Sequence, residues 1–123
     1  MASCKLGHIY IVETVLTKPP KAKFAVCVCI DPGYFLWVNS NPRPHGRDQV
    51  PLPAGCHELV TKNCFLDLSR VVQHPTFELE DAKEFARIDQ KFAGLIVAAI
   101  DAGLFLLPPS QGLLIRNNFD GWA

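Results

Sequence analysis

KAKFAVCVCIDPGYFLWVNS, from Lys21 to Ser40, holds two apolar runs, residues 24–30 and 34–38, separated by Asp31-Pro32-Gly33. Valine, isoleucine, cysteine and aromatic side chains dominate both runs, and such shapes suit a pleated, largely buried surface. Proline presets φ for the second position of a tight turn, and glycine supplies the positive φ that a type II turn needs next. The stretch predicts a β-hairpin at the centre of an SH3-like small barrel or a coiled antiparallel sheet. Its polar residues gather opposite the turn. Lys21 and Lys23 lead in, while Asn39 and Ser40 lead out into a loop carrying Arg43, His45 and Arg47. Chemistry is expected at that end.

The rest of the chain is read around this hairpin. Its 123 residues favour a single domain with one core. A content of 49% hydrophobic and 20% charged residues is that of a folded globular chain and argues against disorder. Twelve basic residues balance twelve acidic ones, so a nucleic-acid partner needs a local basic patch rather than overall charge. No apolar run follows a basic start, which predicts no secretory signal. The longest apolar stretch, residues 93–100, is far short of the ~20 residues that span a bilayer. A cytoplasmic protein with no membrane partner is expected.

Five cysteines, at 4, 27, 29, 56 and 64, form an odd set without CxxC spacing. Cys27 and Cys29 lie two apart on one strand and face the same way, which disfavours a bridge between them. They read as reduced, buried small hydrophobes. A zinc site from Cys27, Cys29, Cys56, His57 and Cys64 is an alternative, but structural zinc normally uses closely spaced ligand pairs.

Before the hairpin, His8 to about Val15 alternates as a first strand, and residues 17–21, TKPPK, form a solvated loop or a lid over a groove. After it, residues 49–52 read as a short or edge strand because of Pro51. Residues 64–72 alternate as a longer strand. Residues 80–86 predict a turn or two of helix. Asp89 is a suitable N-cap for a helix from Gln90 to about Ala102, closed by Gly103. In that helix Phe92, Leu95, Ile96, Ala99 and Ile100 form one apolar stripe, for the sheet or a dimer partner to cover. Leu104 to Leu107 predicts a last strand, and the terminal segment from Leu113 either docks through Phe119 and Trp122 or frays. The class is therefore mainly β with C-terminal helices, α+β.

No phosphate loop, GxSxG elbow, GxGxxG or HExxH is present, and no cofactor is implied. The polar end of the hairpin is the candidate site. Lysine and arginine neutralise phosphate, arginine with a forked geometry, and a hydroxyl or imidazole beside them can move a proton. A solvated basic loop is the plain alternative. Of the histidines, His8 could line a groove, whereas His57 and His74 sit beside turn signals, where surface positions are commoner.

The order of segments resembles the MazF/PemK-type toxin endoribonucleases over roughly residues 7 to 105. Residues 7–12, GHIYIV, resemble that family's GDIYxV opening, and Lys21 to Ile30 resembles its basic-then-apolar strand. Phe35 to Ser40 resembles the strand ending in Thr-Ser. Residues 49–52 and 63–72 are similar to the later strands, and residues 80–102 to its helical part. Where the family has Arg-Pro this chain has Lys23-Phe24, which keeps a cation without the guanidinium fork. The family's Thr falls on Asn39, leaving Ser40 as the hydroxyl, and its first-strand Asp falls on His8.

The resemblance implies metal-independent cleavage of single-stranded RNA by a homodimer, and inhibition by a cognate antitoxin lying in the RNA groove. Ser40, His8, His45 and Lys23 would then carry proton transfer and phosphate stabilisation, with Lys21, Asn39, Arg43 and Arg47 binding RNA. The rival expectation is a non-catalytic SH3-like barrel serving as a protein-interaction or structural dimer module.

Overall fold

Alternation along the hairpin sends its side chains to two separate cores. The computed structural model describes residues 4–41 and 48–123. Strands β1 (His8–Thr14), β2 (Lys21–Cys29) and β3 (Tyr34–Asn39) pair antiparallel in succession. Short strands β4 (Gln49–Leu52) and β5 (Cys64–Asp67) follow, then helix α1 (Thr76–Glu80) and strand β6 (Lys83–Arg87). Helices α2 (Gln90–Asp101) and α3 (Pro109–Phe119) end the chain. The six strands form one sheet in the order β4-β5-β3-β2-β1-β6. The mainly β, α+β class expected from the sequence is the one observed.

On one face Ile9, Val26, Val28, Leu36 and Val38 meet Phe92, Ile96, Ile115 and Phe119 from α2 and α3. On the other, Tyr10, Val12, Ala25, Cys27, Phe35 and Trp37 form a smaller core closed by Val72, Leu79 and Ala82. A period-two strand buried on both faces reads as a continuous apolar run, which explains the composition of the hairpin. The helical stripe is spent within the chain, since Phe92, Ile96, Ala99 and Ile100 are all buried. Asp89 caps α2 by accepting the Phe92 N–H at 2.8 Å, and Gly103 takes φ +74° just past its end.

Three expectations are corrected. The helix expected over 80–86 is not there: α1 ends at Glu80, and Lys83–Arg87 is an edge strand pairing with β1 through Tyr10↔Glu84 and Ile11↔Lys83. The helix propensity of Ala, Lys and Glu there is overridden by the open hydrogen-bonding edge of β1. The strand expected over 64–72 stops at Asp67, whose carboxylate accepts the Ser69 N–H at 2.8 Å and turns the backbone away. The chain then rejoins the sheet at Val72, which exchanges two hydrogen bonds with Phe35. Leu104–Leu107 is not a strand either. Its Leu106 N–H reaches the Leu68 carbonyl at 3.0 Å before Pro108 and Pro109 remove further donors.

The terminal segment docks. Trp122 donates its indole N–H to the Ile88 carbonyl at 2.9 Å and lies against Gly7. Gly7 has φ +79°, and a Cβ there would stand 2.6 Å from the Trp122 ring. Glycine is thus required twice at one position.

Strands β4 and β6, at the two ends of the sheet, share no ladder among the described residues. The loop after β4 spans the gap with side chains. His57 Nε2 donates to the Ala86 carbonyl at 2.6 Å, and the Ala86 N–H donates to Glu58 Oε1 at 3.0 Å.

Candidate functional site

Register places the polar end of the hairpin. Phe24 pairs with Val38, so Lys23 and Asn39 emerge side by side. Lys23 Nζ donates to Asn39 Oδ1 at 2.5 Å. Both open onto a groove of about 750 Å³ that Lys21 and Ser40 also line. Of the residues singled out in the sequence, Lys21, Lys23, Asn39 and Ser40 are thus brought together. One wall is built by Leu16, Thr17 and Lys18, so the loop after β1 belongs to the groove rather than merely connecting strands.

Two cations meet over one indole. Lys23 Nζ stands 5.1 Å and Arg70 Cζ 5.3 Å from the Trp37 ring centroid, within cation–π range. Burial lowers the Lys23 pKa below the usual lysine range, and neighbouring Lys21 lowers it further against an opposing pull from Asp67. A lysine in that condition gives up its proton more readily than an exposed one.

Beneath Asn39 lies Asp67, with 5% of its surface exposed. Its carboxylate accepts from Asn39 Nδ2 at 3.3 Å, Gln49 Nε2 at 3.1 Å and the Ser69 N–H. A carboxylate can only accept, so it fixes which way the Asn39 amide points and turns Oδ1 toward Lys23.

A second buried chain runs below Trp37. Its indole N–H donates to His74 Nε2 at 3.1 Å, and His74 Nδ1 lies 2.8 Å from Glu78 Oε1. Indole can only donate, so His74 Nε2 accepts and Nδ1 carries the proton toward Glu78. Glu78 Oε2 accepts the Val15 N–H at 2.9 Å. Burial works against ionisation of Glu78, but the Val15 N–H, His74 and the Thr14 hydroxyl together hold it below the usual carboxylate range.

Other expectations are placed elsewhere. His8 does not line the groove. It sits at the opposite end of the seven-residue β1 from Thr14, the partner of Lys21, with Nδ1 2.8 Å from the Phe85 carbonyl. At ~3.3 Å per residue that is about 20 Å away. Arg43, His45 and Arg47 lie outside the described residues. His57 and His74 are buried rather than on the surface, each hydrogen-bonded as above.

The five-residue zinc alternative does not assemble, since no three His, Cys, Asp or Glu side chains converge among the described residues. Burial pushes the Cys27 thiol up to about 12 and Cys56 up to about 11, as expected for buried, unreactive thiols.

Sequence reasoning missed Arg70, Trp37 and Asp67 at the groove, and His74 and Glu78 beneath it. The signal available was the polar residue on an apolar strand: Asp67 closes CFLD, where an unpaired carboxylate is costly and a network is therefore implied. Set against models of known families, curated proteins and solved structures, the chain matches none of them.

Proposed function

We propose that the groove binds single-stranded RNA along its phosphates and cleaves it without a bound metal, as the resemblance to MazF/PemK-type endoribonucleases implies. The observation that carries this reading is the convergence of Lys21, Lys23, Asn39 and Ser40 with Lys18 and Arg70 on one concave surface. On a chain of zero formal charge, that clustering makes the local basic patch a polyanion requires. Trp37 is almost fully buried and its ring carries two cations, so base stacking is replaced by phosphate contact. Recognition is therefore tolerant of sequence.

In cleavage, the RNA 2′-hydroxyl releases its proton to solvent water as its oxygen attacks phosphorus, the bond to the 5′-oxygen breaks, and that oxygen takes a proton from the protein. Lys23 is suited to stabilise the charge gathering on the phosphate and to supply that proton, because its environment already disfavours the ammonium form. Ser40 offers a hydrogen bond to the same phosphate. A homodimer and an antitoxin covering the groove follow from the family reading as part of the proposal.

The test is incubation of the purified protein with a long single-stranded RNA, with and without EDTA. Cleavage in both, lowered roughly a hundredfold or more by Lys23→Ala, is expected. RNA left intact but bound would remove the enzymatic half, and no binding at low salt would remove the whole.

A second reading, an interaction or structural dimer module, is favoured by one observation. Leu104, Leu106, Leu113 and Leu114 are exposed around the start of α3. Production in a bacterial host separates the two: a toxin arrests growth, whereas an interaction module is tolerated.

A further inference from the structure

The groove has two sides that come from distant parts of the chain, the loop after β1 and the cationic surface over Trp37. Both are tied to Glu78, a residue that does not itself line the groove. We infer that Glu78 is the positioning residue of the RNA groove, holding its loop wall and its cationic floor in register through His74. The inference rests on the RNA-binding reading of the groove.

The geometry is specific to a carboxylate. Glu78 Oε2 takes the Val15 N–H at 2.9 Å, where the chain leaves β1 toward Leu16, Thr17 and Lys18. The Thr14 hydroxyl also bonds to Glu78, and its oxygen in turn accepts the Leu16 N–H at 3.1 Å. Glu78 Oε1 accepts the His74 Nδ1–H, and His74 Nε2 accepts the Trp37 indole N–H. Every donor in this chain points toward Glu78. With side-chain exposures of 0% for His74 and 1% for Glu78, water cannot stand in for a missing partner. Phe35 packs edge-on against His74 at 5.5 Å and leaves the imidazole little freedom to turn.

A glutamine at position 78 presents an N–H₂ either to His74 or to the side that takes the Val15 N–H and the Thr14 hydroxyl. If it faces His74, the imidazole must switch tautomer and then meets the indole N–H with an N–H of its own. If it faces the Val15 N–H, the loop loses its anchor. Either way one side of the groove moves relative to the other. Glutamine at position 74 keeps the polarity, with a carbonyl to accept from Trp37 and an amide N–H to give to Glu78.

The experiment measures binding of a fluorescein-labelled oligouridylate by anisotropy, with circular dichroism as the check on folding. Glu78→Gln and His74→Leu are expected to weaken binding about tenfold, and His74→Gln to stay within about twofold of the original. The double variant Glu78→Gln/His74→Leu should be no weaker than Glu78→Gln alone, because both cut one chain. In parallel, ¹⁵N spectra should show the Trp37 indole and the Val15 and Leu16 amides shifting in Glu78→Gln. A folded Glu78→Gln with unchanged affinity and unchanged resonances overturns the inference. So does a His74→Gln as weak as His74→Leu, which would make His74 a space-filler. If the original protein binds no oligonucleotide, the RNA reading falls and the resonances alone decide the coupling.

Discussion

Two sides of the same strand, β3, are built on different principles. Leu36 and Val38 face α2 and α3, where the contacts are apolar and non-directional. Phe35 and Trp37 face a much smaller core, in which a histidine and a glutamate are buried beside the rings. Apolar burial stabilises at roughly 25 cal/mol per Å² whatever its detailed geometry, whereas a buried carboxylate is tolerated only when its partners are all in place. The first face therefore supplies stability and the second supplies position. The groove opens over the second.

The largest effect that would sharpen this division is on the helical face. Phe92→Ala should cost about 3–5 kcal/mol in denaturant unfolding while leaving oligonucleotide affinity of the folded protein unchanged. Lost affinity at unaltered stability would break the comparison. Trp37→Phe comes next. It keeps a ring but strands the His74 acceptor, so a stability loss of about 1–3 kcal/mol is expected together with weaker RNA binding.

Acid sensitivity should belong to the second face. Glu78 is held below the ordinary carboxylate range in the folded state. Its contribution is thus complete above that range and lost as pH falls through its depressed folded value. Glu78→Gln should be less stable at neutral pH and show a flatter decline on acidification, read from urea midpoints at successive pH values. Parallel curves for the two proteins would contradict it.

The smallest effect is alkaline. Lys23 loses its charge below the usual lysine range, so RNA affinity should begin to fall there, and Lys23→Arg should abolish the early decline because arginine stays charged. Equal alkaline profiles would remove Lys23 from the phosphate contacts. Log affinity should also fall against log salt with a slope of roughly −3 for four phosphate contacts.

Much of the framework was legible in the residues themselves. The hairpin, the capped helix from Gln90 and the meeting of Lys23 with Asn39 all follow from local patterns of period two, period 3.6 and turn chemistry. What was not legible depends on pairing at a distance. Residues 83–87 carry helix-forming side chains, and only the vacant edge of β1 makes them a strand. His74 and Glu78 follow Val72 in a segment punctuated by proline, which suggests surface. Only the return of Val72 to Phe35 carries them beneath Trp37. His8 was misplaced for the opposite reason: it opens the right strand, but at the wrong end.

The contacts of His57 and Glu58 on Ala86 carry a consequence for solubility. An outermost strand presents free amides and carbonyls that recruit strands from other molecules, the route by which sheet proteins aggregate. Near the end of β6 both backbone groups of Ala86 are already occupied, and lysine, glutamate and arginine lie along the same strand. A foreign strand docking there would have to displace two hydrogen bonds and bury charge. The loop that bridges the sheet thus also serves as its guard against polymerisation.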